Sequence, residues 1–419
     1  MRPVEPCGGG AFGGASRRAE RAWAESIGRR ACRTFREGNA GGRAPHERCY
    51  DGAMPQVWTR SRAGTASSSR PLVRRPVPER PWIHSIELPL DWAPGSTQVY
   101  LIEGQPLTLV DTGVTSDASS EVLAAALDSL GYGFRDIERV VVTHAHRDHF
   151  GFVEGLRGAG ADLECCVHAA DVERVERYAE TLPSRISEMT SLFIEFGVPE
   201  DLARARENER CVSLGVDLAE GQPTRVDRVL SEGDRIEWKD WSLDVLHAPG
   251  HTPGHVLLED AEIGLVFTGD QVMAQAIPYA ENFYVEGAPD PGDLLRRRPR
   301  FRGLVEMRST LRRLRRRPVR TILPGYGPPL TRAERAIRDT LLHYEVRLQR
   351  IGRGLRSLAA MGQDVTAFDL WKALFPGEAS GDALPSQLLL LIGALDCLEG
   401  DGLLVTERRD DGVFTHRHR

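Results

Sequence analysis

The segment Thr143-His144-Ala145-His146-Arg147-Asp148-His149-Phe150-Gly151 sets four residues able to ligate a metal within six positions. It follows Val140-Val141-Val142, an apolar β-branched run read as a short strand, so the cluster begins where a strand ends. On such a loop His144 and His146 can point to one side while Asp148 and His149 turn back toward a neighbouring position. Two ions ~3.5 to 4 Å apart can then share one segment. A single histidine is more often a surface or hydrogen-bonded core residue. Four potential ligands at this density are rarely structural, and imidazole with carboxylate suits zinc, iron or manganese.

Two further clusters lie outward along the chain. His247-Ala248-Pro249-Gly250-His251-Thr252-Pro253-Gly254-His255 follows an apolar run at 243–246, and Thr268-Gly269-Asp270 follows another at 265–267. Similar short runs at 83–88, 98–103, 107–110, 256–258 and 321–323 read as strands, and 121–130 has helical spacing. Strands interleaved with helices predict an α/β layered domain, with the three ligand clusters meeting at one edge of its sheets.

THAHRDHFG, PGHTPGH, TGD and the earlier Leu109-Val110-Asp111-Thr112-Gly113 resemble the successive motifs of the metallo-β-lactamase superfamily, over about residues 82–330. The resemblance implies an αββα sandwich with the metal site in the groove between the sheet edges. It assigns His144, His146 and His251 to one metal, Asp148 and His149 to a second, and Asp270 to a bridge between them. Asp111 is implied to fix the loops, and His247 and His255 to support the ligands. A water acidified to a pKa of about 7 by the metal is then the attacking species, with Asp148 orienting it or carrying its proton. One motif departs from the family: in Leu323-Pro324-Gly325-Tyr326-Gly327, Tyr326 stands where a histidine is usual. A neutral phenol is a poor ligand. One firmly bound zinc and a weak or absent second ion are therefore expected, with iron or manganese as alternatives, and Tyr326 is a candidate catalytic hydrogen-bond donor to substrate or oxyanion.

The flanks differ in composition. Residues 1–80 are rich in Gly, Arg, Ser and Pro without an apolar period, and are expected to form a disordered, dispensable extension. The catalytic domain is expected over 81–332. Residues 333–419 read as a long amphipathic helix, two shorter helices and a hairpin around Asp410-Asp411-Gly412, similar to the small winged helix of one branch of the superfamily. As an appended unit it is expected to roof the site or mediate a homodimer rather than to bind nucleic acid.

A formal net charge of −6 provides no global basic field for nucleic acid. Lysine occurs only at Lys239 and Lys372, so the arginine clusters at 296–302 and 312–320 express a chain-wide bias and read as solvated helix faces. No apolar run nears the ~18 residues of a membrane span. Seven cysteines without regular spacing argue against a disulfide framework and for a cytoplasmic location, with Cys165, Cys166, Cys211 and Cys397 as small buried hydrophobes. The expected function is hydrolysis of a small thioester, ester, lactone or lactam. RNA cleavage and single-iron oxygenation of persulfides are the alternatives, and a binding protein with a degenerate metal site is disfavoured by six retained ligand positions. The walls of the pocket are expected from 274–287 and 178–196.

Overall fold

The computed structural model describes residues 73–419 apart from 93, 274–275, 362–363 and 377–382. Strands β1 (Val73–Arg74), β2 (Ile83–Pro89), β3 (Ser96–Ile102), β4 (Thr108–Val110), β5 (Arg139–Val141), β6 (Glu164–His168) and β7 (Arg228–Leu230) form one sheet in that order. The pairing is antiparallel from β1 to β4 and parallel from β4 to β7. Strands β8 (Arg235–Trp238), β9 (Trp241–His247), β10 (Val256–Asp260) and β11 (Leu265–Gly269) form an antiparallel meander. A small pair, β12 (Asn282–Tyr284) and β13 (Arg300–Arg302), stands apart, and β14 (Thr321–Pro324) then joins β11 in parallel.

The two sheets face each other. Ile83, Tyr100, Val110 and Val141 from the first pack with Leu243, Val256, Phe267 and Leu323 from the second in one buried cluster. Helices cover the outer faces because the alternate residues of the same strands are also apolar. Leu101, Leu109 and Val140 bury against α1 (Asp117–Asp128), α2 (Arg147–Phe150), α3 (Val153–Gly158), α4 (Val172–Glu176) and α5 (Tyr178–Glu195). Ser116 opens α1 by accepting from the Ser119 amide, as an N-cap serine should. A long helix that the sequence reading did not assign, α6 (Glu200–Glu220), runs beside α5. Leu257, Val266 and Ile322 bury against α7 (Gly303–Leu314) and α8 (Ala333–Ala359) on the other face. The architecture is the expected αββα sandwich.

The C-terminal elements α9 (Ala367–Leu374), α10 (Leu384–Gly400) and the hairpin β15 (Leu404–Arg408) and β16 (Phe414–His418) lie near the positions expected for them. They do not build a separate core: Leu370, Leu391 and Phe414 share one apolar cluster with Leu304 of α7 and Phe193 of α5. The long helix α8 packs on the same body, and the Tyr344 hydroxyl donates to the Pro278 carbonyl at 2.5 Å. Cys165, Cys166 and Cys397 are buried, but Cys211 is exposed on α6, against expectation.

The lower boundary also moves. Residues 1–72 of the expected extension lie outside the described residues, whereas 73–80 belong to the fold. Val73 and Arg74 pair with Ile86 and Ser85, and Arg80 Nε donates to the buried Asp260 at 2.7 Å. Arg80 also reaches Glu262 at 2.6 Å. A chain begun at Pro71 is expected to keep its stability, while one begun at Pro81 should lose about 3 kcal/mol, because Asp260 is left buried without its cation. Urea unfolding of the two truncations measures this, and equal midpoints would make Arg80 dispensable.

Candidate metal centre

All ligand clusters emerge on one edge because the topology sends the relevant strand ends there. Asp111 follows β4, the His144 cluster follows β5, Asp270 follows β11 and Tyr326 follows β14. His251 and His255 lie in the turn between antiparallel β9 and β10, beside the end of β11. Two glycines allow close approach. A Cβ on Gly269 would meet Thr143 Oγ1 at 2.8 Å and His255 Nε2 at 2.9 Å, and one on Gly325 would meet Asp270 Oδ1 at 2.5 Å.

Each of four imidazoles is held by its outer nitrogen. His149 Nδ1 donates to Asp111 Oδ2 at 2.8 Å. His251 Nδ1 donates to the Tyr279 carbonyl at 2.6 Å, and His146 Nε2 to Glu281 Oε1 at 3.1 Å. The Thr143 hydroxyl gives its proton to Asp111 at 2.9 Å, so its oxygen accepts from His144 Nδ1 at 3.1 Å. Burial holds the pKa of His144 and His146 down, so their inner nitrogens present lone pairs to each other, with His144 Nε2 only 3.0 Å from His146 Nδ1. Two lone pairs do not attract. Two nitrogens bound to one tetrahedral zinc at ~2.0 to 2.1 Å would lie roughly 3.3 Å apart, close to this separation.

His144, His146 and His251 can each offer one atom to a common ion, as can His144, His149 and Asp270, with the atoms of each group within 4.8 Å of one another. His149 Nε2, His251 Nε2 and Asp270 Oδ1 are buried without a hydrogen-bond partner among the described residues. Buried polar atoms are almost always satisfied, so this convergence fits a bound cation. Asp270 approaches both histidines, 3.4 Å from His149 and 3.2 Å from His251. Burial opposes a charge on His149, but Asp270, Asp111 and Asp148 outweigh it and push its pKa up to about 10. Burial would raise the pKa of Asp270, yet His149 and His251 draw it down to about 2. The same negative potential favours a divalent cation, whose binding would displace a proton from His149.

Asp148 sits at the margin, 3.6 Å from His149 Nε2, and Oδ2 accepts the Tyr326 hydroxyl. Tyr326 is buried with Leu90, Val114 and Met273, so its hydroxyl meets a carboxylate rather than turning toward solvent. His255 Nε2 accepts the Asp270 amide at 3.2 Å, and the His255 ring stacks on His144 with centroids 5.0 Å apart. His247 lies one shell further out, stacked on His168 at 4.0 Å. Asp111, with φ 61, is held in the left-handed region by its bonds to Thr143 and His149.

Three supporting residues carry no motif. Asp171 is fully buried and accepts from the Ala145 amide at 3.0 Å, the Thr252 hydroxyl at 2.6 Å and the Gly254 amide at 3.0 Å, tying the His144 loop to the His251 loop. Arg174 grips Glu281 with two bonds of 2.5 and 2.7 Å, and these bonds, with the one from His146, hold the Glu281 carboxyl well below its usual range against the opposing effect of burial. Sequence reasoning singled out none of the three; Glu281 merely falls within the expected pocket wall at 274–287.

Residues 92–326 match the profile of the Metallo-beta-lactamase superfamily. The chain belongs to this superfamily. It is 27% identical over 335 residues to the probable metallo-hydrolase YqjP of Bacillus subtilis, covering 79% of this chain and 96% of that protein. It is 31% identical over 193 residues to the acyl-coenzyme A thioesterase MBLAC2 of Gallus gallus, covering 43% of this chain and 61% of that one. A crystal structure of a metallo-β-lactamase family protein from Thermus thermophilus superposes with a TM-score of 0.61 at 22% identity, over 81% of this chain and 99% of that one. This superfamily hydrolase thus keeps a His/Asp cluster suited to a divalent metal. Among the described residues no helix is long and apolar enough to cross a membrane.

Proposed function

We propose that this superfamily hydrolase cleaves a small acyl substrate, a thioester first and an ester, lactone or lactam by the same chemistry, with zinc held by His144, His146 and His251. The observation that carries the reading is the set of inward lone pairs, 3.0 Å apart between His144 and His146, with every outer nitrogen already bonded. The likeness to an enzyme named as an acyl-coenzyme A thioesterase supports the thioester. Bound there, a divalent ion acidifies water and polarises the acyl carbonyl.

The chain's own groups do the rest. Asp148 keeps Oδ2 on Tyr326 and leaves its other oxygen for the attacking water, whose proton it takes and passes to the departing thiolate. Glu281 and Asp111 fix which nitrogen of His146 and His149 bears the proton. RNA cleavage is less well supported, because arginines of the two clusters are engaged within the protein. Arg300 bonds the buried Asp396 at 2.6 Å, Arg297 bonds Glu399 at 2.7 Å and Arg317 bonds Glu259. The arginines of 312–320 are exposed, as expected of a solvated face, whereas Arg297 and Arg300 are half-buried in their ion pairs and depart from it.

Metal analysis of purified protein with thioester turnover is the test: about one zinc per chain and zinc-dependent hydrolysis are expected. Bound iron with oxygen uptake on persulfides would replace the hydrolase reading by an oxygenase.

Tyr326 is assigned here to positioning Asp148, instead of donating directly to substrate. Tyr326→Phe is expected to lower kcat about tenfold with KM and metal content little changed, the loss of one hydrogen bond to a charged group. Tyr326→His should raise metal content toward two. Two tightly held ions in the unmodified protein would overturn the single-metal assignment.

A further inference from the structure

One cation beside the metal centre has no role in the chemistry above. Arg185 lies on α5, and its Nη1 is buried without a hydrogen-bond partner among the described residues. Its basic neighbours are compensated: Arg174 by Glu281 at 2.5 Å, Arg147 by Glu220 at 2.7 Å and Arg210 by Asp217. Burial, and then the like charge of Arg174, hold the Arg185 guanidinium down to about 10, while Glu281, Tyr178 and Asp171 pull the other way without reaching it. Arg185 as a whole is only half-buried, but a guanidinium nitrogen held out of water without an acceptor carries a desolvation cost that an arriving anion would offset.

Its surroundings place it near the residues that support the centre. Arg185 is near enough to Glu281 and Tyr279 for their charges to act on one another. Glu281 holds His146, the Tyr279 carbonyl holds His251, and the Tyr279 ring lies 6.2 Å from the His251 ring. Arg185 therefore lies on the helix that packs on β12, near the two residues that hold His146 and His251. A guanidinium offers paired N–H groups that match carboxylate or phosphate oxygens.

We infer that Arg185 is a subsite for an oxyanion, a carboxylate or a phosphate carried by the substrate away from the scissile bond, and that it selects anionic substrates over neutral ones. This rests on the hydrolase reading for its second test but not for its first. In the first, zinc-loaded protein is titrated with succinate and with inorganic phosphate in the absence of turnover. Arg185→Gln is expected to weaken at least one of them tenfold to a hundredfold, the range of a charge-assisted hydrogen bond, and Arg185→Lys to recover part. The probe that responds tells carboxylate from phosphate. Arg185→Gln should also raise the urea midpoint, since it removes a charge whose Nη1 is buried without a partner among the described residues, whereas an arginine kept for structure would lower it.

In the second, kcat/KM is compared for glutaryl and pentanoyl thioesters of N-acetylcysteamine, and for acetyl thioesters of coenzyme A and N-acetylcysteamine. The preference for the anionic member of one pair should fall at least tenfold in Arg185→Gln. Equal binding of both probes by the two proteins would overturn the subsite. Arg185-dependent binding with no thioester hydrolysed would leave the subsite standing and remove the thioesterase reading.

Discussion

His251→Ala is expected to empty the metal site and reduce hydrolysis roughly a thousandfold, since several kcal/mol of transition-state stabilisation come from a bound ion. Three imidazoles face one point in this structure, and His251 is the one supplied by the second sheet. Without it, His144 and His146 remain as a pair on one loop, short of the three protein ligands a catalytic zinc needs. His255→Ala serves as the contrast. His255 Nε2 already accepts the Asp270 amide, so its loss should weaken the site without emptying it. Metal content after dialysis, measured beside turnover, reads both variants. Full occupancy in His251→Ala with an empty site in His255→Ala would exchange the two roles.

Asp171→Ala should destabilise the protein by about 3 to 5 kcal/mol, because the two amides and one hydroxyl that it accepts would stay buried and unpaired. The same change should weaken metal binding about tenfold to a hundredfold, as loss of an outer partner of metal ligands does. The ligands His144 and His146 flank Ala145, and His251 precedes Thr252, so the carboxylate clamps the backbone of both ligand loops at once. Asp171→Asn is the milder test. Its amide puts a donor against a donor at one of the three contacts, and about half of each effect is expected. Urea unfolding and zinc titration measure the two quantities separately, and a normal zinc affinity in Asp171→Ala would deny the clamp.

The ligand set is legible because it is written locally. His144, His146, Asp148 and His149 occupy one strand-end loop, and His251 and Asp270 mark two more. Short β-branched runs before each loop predict strands, and most lie within a few residues of where the structure has them. Residues 73–80 escape such a reading for the converse reason. Arg80 looks like any other arginine of an Arg-rich stretch until Asp260, 180 positions later, is found against it.

Tyr326 is visible as a departure from a motif, but its partner is not. A phenol on a Pro-Gly loop can face solvent, substrate or protein, and only the meeting of the β14 end with the β5 loop puts it on Asp148. The supporting residues are invisible for the same reason. Glu281 lies 135 positions from His146 and 107 from Arg174, and Asp171 lies 81 from Thr252. In the sequence each is an ordinary acid.

From sequence alone follow the layered α/β class and the residues that can hold a metal, because ligand type and strand periodicity are properties of short segments. Tertiary structure decides which nitrogen of each histidine faces inward, which carboxylate clamps two loops, and which arginine has an Nη1 buried without a partner among the described residues. Those depend on which donors and acceptors are brought together out of water, where a charge without a partner costs several kcal/mol and one with a partner is held in place.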